Sequence, residues 1–238
     1  MPALTSVTLI SLAAVNFQPT IQAMLRSSEN LKFYDSKIIT PEEPTYLPSS
    51  IKWEDSGPLR LRSEGVDDYS RYFLYEIWRH VETPHVLVVQ ADGFVINPHM
   101  WTDEFLEFDY IGAPWPIRRR AYVDPFGNHQ RVGNGGFSLR SKALLETPQK
   151  VDVPFDVNSS DFYAHMGVGS LAEDGNICVH NRHVYEAAGN VFAPINIAVK
   201  FSQELRVPEA RGVTPFGFHE YMPHPNKFLR TLGLKKKF

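Results

Sequence analysis

Hydrophobic and polar positions along the first ninety residues predict alternating strands and helices. Val7-Thr8-Leu9-Ile10-Ser11-Leu12 is a short β-branched run that reads as a first strand, with a loop over 13–16 at its carboxyl end. Residues 19–27 place Ile21, Met24 and Leu25 at helical spacing behind Pro19. Residues 33–39 read as a second strand, so this β-α-β opening predicts a parallel pair with a right-handed crossover. Three prolines in 41–48 mark an irregular connection, and a third strand is expected around Ile51–Trp53. Over 66–79, Tyr69, Phe73 and Ile77, with Tyr72 and Tyr75, give an amphipathic helix with Asp67 or Asp68 at its N-cap. That helix leads into Val86-Leu87-Val88-Val89, bounded by Pro84 and Gly93. The run is too short for a confident helix and apolar throughout, the signature of a strand buried on both faces.

The second half is less periodic. It predicts a short helix around 100–105, a strand entering a Gly/Pro-rich loop over 108–116, and a polar candidate mobile loop over 118–130. A glycine loop runs into a short strand over 132–140, a helix opens at Ser141, and 148–155 is a second irregular connection. Residues 160–169 read as helical, a late strand begins at Phe192-Ala193-Pro194, and Phe201-Ser202 follows it.

At 238 residues with 43% hydrophobic and 21% charged side chains, the chain suits one substantial folded domain. Its formal net charge of −3 gives no global case for binding nucleic acid or an anionic membrane. Cys178, the sole cysteine, excludes an intramolecular disulfide and fits a reducing compartment. The apolar stretch at 7–15 is too short to span a bilayer and has no basic segment before it, so a cytoplasmic protein with no membrane span is expected.

Four features carry candidate chemistry. Asp92 follows the buried strand, and ligands in open α/β sheets bind just beyond such strand ends. Its carboxylate suits a divalent cation bridging two phosphates, while Asp92-Gly93 is equally a turn dipeptide. Gly133-Asn134-Gly135-Gly136 permits close backbone approach but matches neither a dinucleotide fingerprint nor a P-loop. Glu173-Asp174 offers a general base, or alternatively acids favoured at a helix N-terminus. His219 is either a structural histidine or a nitrogen ligand.

Taken in order, these segments resemble the DUF5672 family, which is similar to small GT-A glycosyltransferases. The resemblance is carried by Asp67-Asp68-Tyr69-Ser70-Arg71, Val89-Gln90-Ala91-Asp92-Gly93-Phe94, 103–115, 132–141, 173–178 and Pro215-Phe216-Gly217-Phe218-His219. It implies a GT-A-like α/β fold of the Rossmann type: one domain with a mixed central sheet flanked by helices, a nucleotide-binding half over about 1–96 and an acceptor-binding half over about 97–238. It also implies a transferase moving a sugar from a UDP- or GDP-linked donor, with inversion and Mn²⁺ or Mg²⁺ as cofactor. The acceptor stays open among a glycan, a protein, a small molecule or a modified nucleic-acid base.

In such enzymes an Asp-x-Asp motif closes a central strand; here the matching segment is Gln90-Ala91-Asp92, with Gln90 in place of the first acid. The implied metal ligands are Asp92 and His219, and the implied catalytic residues are Asp174, as base, and Glu173. Ala14, Asn16, Arg71, Gln90, Ala91, Asp92 and Gly93 are expected around the donor. Trp115, Asn134, Gly135 and Gly136 are expected around the acceptor, with Trp101 a second stacking candidate and a buried core role open to both tryptophans. Two alternatives share these residues: a non-catalytic nucleotide-sugar or glycan-binding module, motivated by Gln90, and a nucleotidyltransferase. The latter expects a basic glycine-rich loop near the N-terminus, and 13–18 holds neither glycine nor Lys or Arg.

Overall fold

The computed structural model describes residues 3–14, 17–58, 67–117, 122–155 and 172–219. Its centre is a six-stranded mixed sheet in the order β3-β2-β1-β4-β7-β6. These strands are β1 (Ala3–Leu12), β2 (Lys32–Thr40), β3 (Lys52–Asp55), β4 (His85–Val89), β6 (Tyr110–Ile111) and β7 (Phe137–Ser141). β1 pairs in parallel with β2 and β4, and β2 with β3, whereas β7 runs antiparallel to both β4 and β6. The crossover elements are α1 (Phe17–Ser28) and α2 (Asp67–Tyr75), the latter followed by a 3-10 turn at Ile77–His80.

Period-two alternation explains how both faces of this sheet are covered. Ile10, Val86 and Val88 face Phe73 of α2, Leu144 of α3 (Lys142–Lys150) and Ile177. Leu9, Leu87 and Val89 face Ile21 and Met24 of α1 and Phe201 of α6 (Ile195–Phe201). Val86, Leu87, Val88 and Val89 have no exposed surface, each worth about 1.5–3 kcal/mol of burial. Two further elements lie between: α4, a helical turn at Glu173–Gly175 that passes into a π-helical turn at Asn176–His180, and α5 (Arg182–Ala187).

A second sheet of three short strands, β5 (Gly93–Val95), β9 (Gly217–His219) and β8 (Ser202–Gln203), stands beside the carboxyl end of β4. β5 pairs antiparallel with β9, and β8 pairs parallel with β9. An aromatic cluster of Phe105, Phe137, Phe201 and Phe216, with ring centroids 5.2–6.3 Å apart, anchors this corner.

Two expectations change. The late strand is only a bridge from Phe192 to Tyr110. Ile195–Phe201 is helical because Pro194 supplies an extended N-cap and Ile197, Ala198 and Phe201 line one buried face. Residues 148–150 belong to α3, since Pro148 sits close to the helix end and forfeits a single hydrogen bond. The expected helix over 160–169 lies outside the described residues, as does the start of the 118–130 loop.

Ser141 ends β7 and caps α3, accepting from the Leu144 amide at 3.0 Å and donating its hydroxyl to Asp109. Ser141→Ala is expected to lower unfolding free energy by about 1–2 kcal/mol in urea titrations; an unchanged midpoint would contradict this capping role.

Candidate functional site

The strand order reverses direction between β1 and β4, the place where open α/β sheets leave a crevice for ligands. Ala14, half-buried, lies just past β1, and Gln90 just past β4. From Gln90 the chain makes a tight turn, the Gly93 amide donating to the Gln90 carbonyl at 3.0 Å, which leaves Ala91 and Asp92 exposed. The turn dipeptide and the strand-end carboxylate are therefore one feature.

β5 then pairs with β9 so that Gly93 faces His219. His219 Nε2 lies 3.2 Å from Asp92 Oδ1, and Nδ1 lies 3.5 Å from Glu204 Oε1, just past β8. Burial works against a charged imidazole, but hydrogen bonds and charge from Asp92 and Glu204 outweigh it and push His219 up to about 10. For Asp92, burial acts upward, and His219 overrides it to hold the carboxyl below its usual range.

The antiparallel setting of β7 brings 133–136 to the same edge, with Phe137 facing Val89. Asn134 adopts a left-handed backbone conformation, φ 71°. Its Oδ1 accepts from the Gly136 and Phe137 amides at 3.0 and 3.3 Å, its carbonyl accepts from Tyr110 at 2.9 Å, and its Nδ2 lies 3.0 Å from His219 Nδ1. A Cβ at Gly136 would fall within the His219 ring, and one at Gly135 against the Glu173 carboxylate. The expected acceptor loop is thus a buried inner wall. Asn134, Gly135 and Gly136, expected around the acceptor, are buried here and packed against other site residues.

The two acids of α4 differ in environment. Glu173 is buried and paired with Arg140, Nη2 to Oε1 2.7 Å, so it is not open to an acceptor proton, which argues against the catalytic role expected for it beside Asp174. Asp174 is half-buried and accepts from the Gly135 amide at 3.0 Å and the Gly175 amide at 2.7 Å. Burial and then the Glu173 charge push Asp174 up to about 7, against the pull of the Gly175 amide and Arg140. A carboxyl titrating there is matched to proton transfer near neutral pH.

Gln90 donates to the Tyr69 hydroxyl at 2.9 Å, and Tyr69 stands within the electrostatic reach of Glu173 and Asp174. An acid at position 90 would add charge to a cluster already holding Asp92, Glu173, Asp174 and Glu204. Of its two expected roles Trp115 takes the core one: it is 3% exposed, stacked on Tyr122 at 4.2 Å and pressed against Gly133. Arg71 is exposed on α2 with its guanidinium 3.8 Å above the Phe155 ring. Trp101 packs edge-on against Phe105 and Phe216. Asn16 lies outside the described residues. Arg140 and Glu204 do not stand out in the sequence as site residues, and Tyr69 reads there only as a position on a helix face and part of a family segment. Arg140 had a signal, as the one charge within the short strand Phe137–Ser141.

Among the described residues no group of three or more His, Cys, Asp or Glu is arranged to hold a metal. The Asp92–His219 pair nonetheless fits two neighbouring ligands of an octahedral cation. With bonds of about 2.1 Å such ligands lie about 3.0 Å apart, close to the 3.2 Å observed. Remaining positions in such sites are commonly filled by phosphate oxygens and water.

Gly136→Ala is expected to displace His219 and cost about 1–3 kcal/mol by overpacking, read as a lower melting temperature. Wild-type stability in that variant would contradict the close approach of Gly136 and His219.

Sequence comparison with curated proteins gives no match. Among solved structures, the chain is similar to the galactosyltransferase LgtC in complex with donor and acceptor sugar analogs, with TM-score 0.53, 15% identity and 97% of each chain covered. It is likewise similar to an active-site mutant of LgtC, with TM-score 0.54, 14% identity and 95% of each chain covered. These likenesses identify the fold as GT-A-like, a mixed sheet flanked by helices in a single domain. The family model described as "Protein of unknown function (DUF5672)" matches residues 61–219, and the chain belongs to that family.

Proposed function

We propose that the chain is a glycosyltransferase that moves a sugar from a UDP- or GDP-linked donor to an acceptor hydroxyl, inverting the anomeric carbon. The acceptor class stays as open as in the sequence: glycan, protein, small molecule or modified nucleic-acid base. The observation carrying this reading is the convergence of Asp92, His219 and Asp174 at one sheet edge, joined through Asn134 and Gly135. Likeness of fold to a galactosyltransferase supports the class of reaction.

In this reading the donor lies over the ends of β1 and β4, held by the half over about 1–96, and the acceptor enters from 97–238. Asp92 and His219 would hold Mn²⁺ or Mg²⁺, which supplies charge neutralisation for the departing diphosphate. Asp174, aligned by two backbone amides, takes the acceptor proton. Ala14, Ala91 and Gly93, all small residues, border the donor, and Arg71 serves as a diphosphate partner. The chain is taken as cytoplasmic; no helix among the described residues is long and apolar enough to cross a membrane.

A second reading, a nucleotide-sugar-binding module, is favoured by one observation: Gln90 is committed to Tyr69 and supplies no second acid. Release of free sugar from the donor into water separates the two, since only a transferase leaks it.

UDP or GDP with Mn²⁺ is expected to raise the melting temperature, and Asp92→Ala to abolish that shift. No stabilisation by any nucleotide diphosphate or nucleotide-sugar would sink the proposal. Asp174→Asn is expected to bind donor normally while losing at least ~100-fold in rate. Because the base must be ionised, kcat/KM should fall as pH drops below about 7, where Asp174 becomes protonated. A rate independent of pH over roughly three units around that value would remove Asp174 from the mechanism.

A further inference from the structure

We propose that Arg140 is a positioning residue for Asp174, acting through Glu173 and the backbone of Gly135. The inference rests on the proposed function only in giving Asp174 the part of base.

Arg140 has no exposed surface. Its guanidinium lies between the rings of Phe73 and Tyr110, 4.2 and 5.0 Å from their centroids. Nε donates to Ser138 Oγ at 3.0 Å, while Nη2 donates to Glu173 Oε1 at 2.7 Å and to the Gly135 carbonyl at 3.4 Å. The group is therefore fixed in plane and position. Two of the three groups it grips lead to Asp174. Glu173 is its chain neighbour, and Gly135 donates its amide to Asp174 Oδ2. Gly135 has no room for a side chain, because a Cβ there would meet Glu173 and lie 3.1 Å from Arg140 Nη2.

Stability alone is a poor explanation for such a pair. Apolar residues of equal volume commonly replace a buried ion pair without loss, since desolvation offsets the attraction. What an apolar replacement cannot do is hold a carbonyl and a carboxylate at once. The charged groups acting on Asp174 are Glu173 beside it, Glu204 beyond β8 and Arg140 on β7. Tyr69, Tyr110 and Cys178 surround it as neutral groups, each pushed up by burial.

Asn134-Gly135 is the sole Asn-Gly pair in the sequence. Full-length protein labelled with ¹³C-carbonyl asparagine and ¹⁵N-glycine therefore gives one carbonyl-filtered amide resonance, that of Gly135. In the wild type this amide should move with pH as Asp174 titrates, with a midpoint of about 7. Arg140→Lys keeps the charge but cannot grip Ser138, Gly135 and Glu173 together, so the amplitude of the step should fall at least ~2-fold. Glu173→Gln removes the neighbouring charge and should lower the midpoint by ~1 unit. If either variant fails to fold, Arg140→Met/Glu173→Leu leaves no stranded charge and should show the same loss of amplitude.

Wild-type amplitude and midpoint in a folded variant would overturn the proposal, as would a wild-type Gly135 amide that ignores pH. No substrate is needed. Failure of nucleotide binding alongside the expected steps would remove the proposed function and leave this coupling standing.

Discussion

A guanidinium with no exposed surface must be matched within the protein, and Arg140 is matched chiefly by Glu173 at 2.7 Å. Removing one partner of such a pair leaves an uncompensated buried charge, worth roughly 3–5 kcal/mol of destabilisation. The pair ties β7 to α4 on the face of the sheet that α2 and α3 cover. It also explains why position 135 is glycine and why adjacent acids have unlike environments: one neutralises a cation, the other is left with a raised pKa.

Sheet topology does the rest of the gathering. Parallel β1 and β4 end at the same edge, and antiparallel β7 begins there, so a loop before one strand meets turns after the others. The small second sheet adds His219 through the pairing of β5 with β9, and Glu204 through β8. Residues separated by over a hundred positions reach hydrogen-bond distance because three strand ends coincide. Close contact requires small residues, and Gly93, Gly135 and Gly136 are where the backbone gives way.

Long periodic elements were legible in the sequence. The Val86–Val89 strand, the β-α-β opening and the helix behind Ser141 follow from local pattern and capping. So did Asp92, as a carboxylate at a strand end. The three-residue strands β5 and β9 carry too few positions to show a period, and their pairing is a long-range event. The Phe192 segment misled because a short apolar run does not distinguish strand from the approach to a buried helix. Trp115 and the 133–136 loop stay divided between packing and ligand contact in the sequence, because aromatic and glycine residues serve both. Arg140 and Glu204 depended on partners 33 and 15 residues away, as Glu173 and His219 show, and no local pattern announces such partners.

The central claim is that the edge holding Asp92 and His219 receives a nucleotide diphosphate with its cation. Crystals grown with UDP and manganese, measured at a wavelength where manganese scatters anomalously, test it directly. The expected result is an anomalous peak within bonding distance of Asp92 Oδ and His219 Nε2. Nucleotide bound elsewhere, or at this edge with neither residue touching the metal, would contradict it.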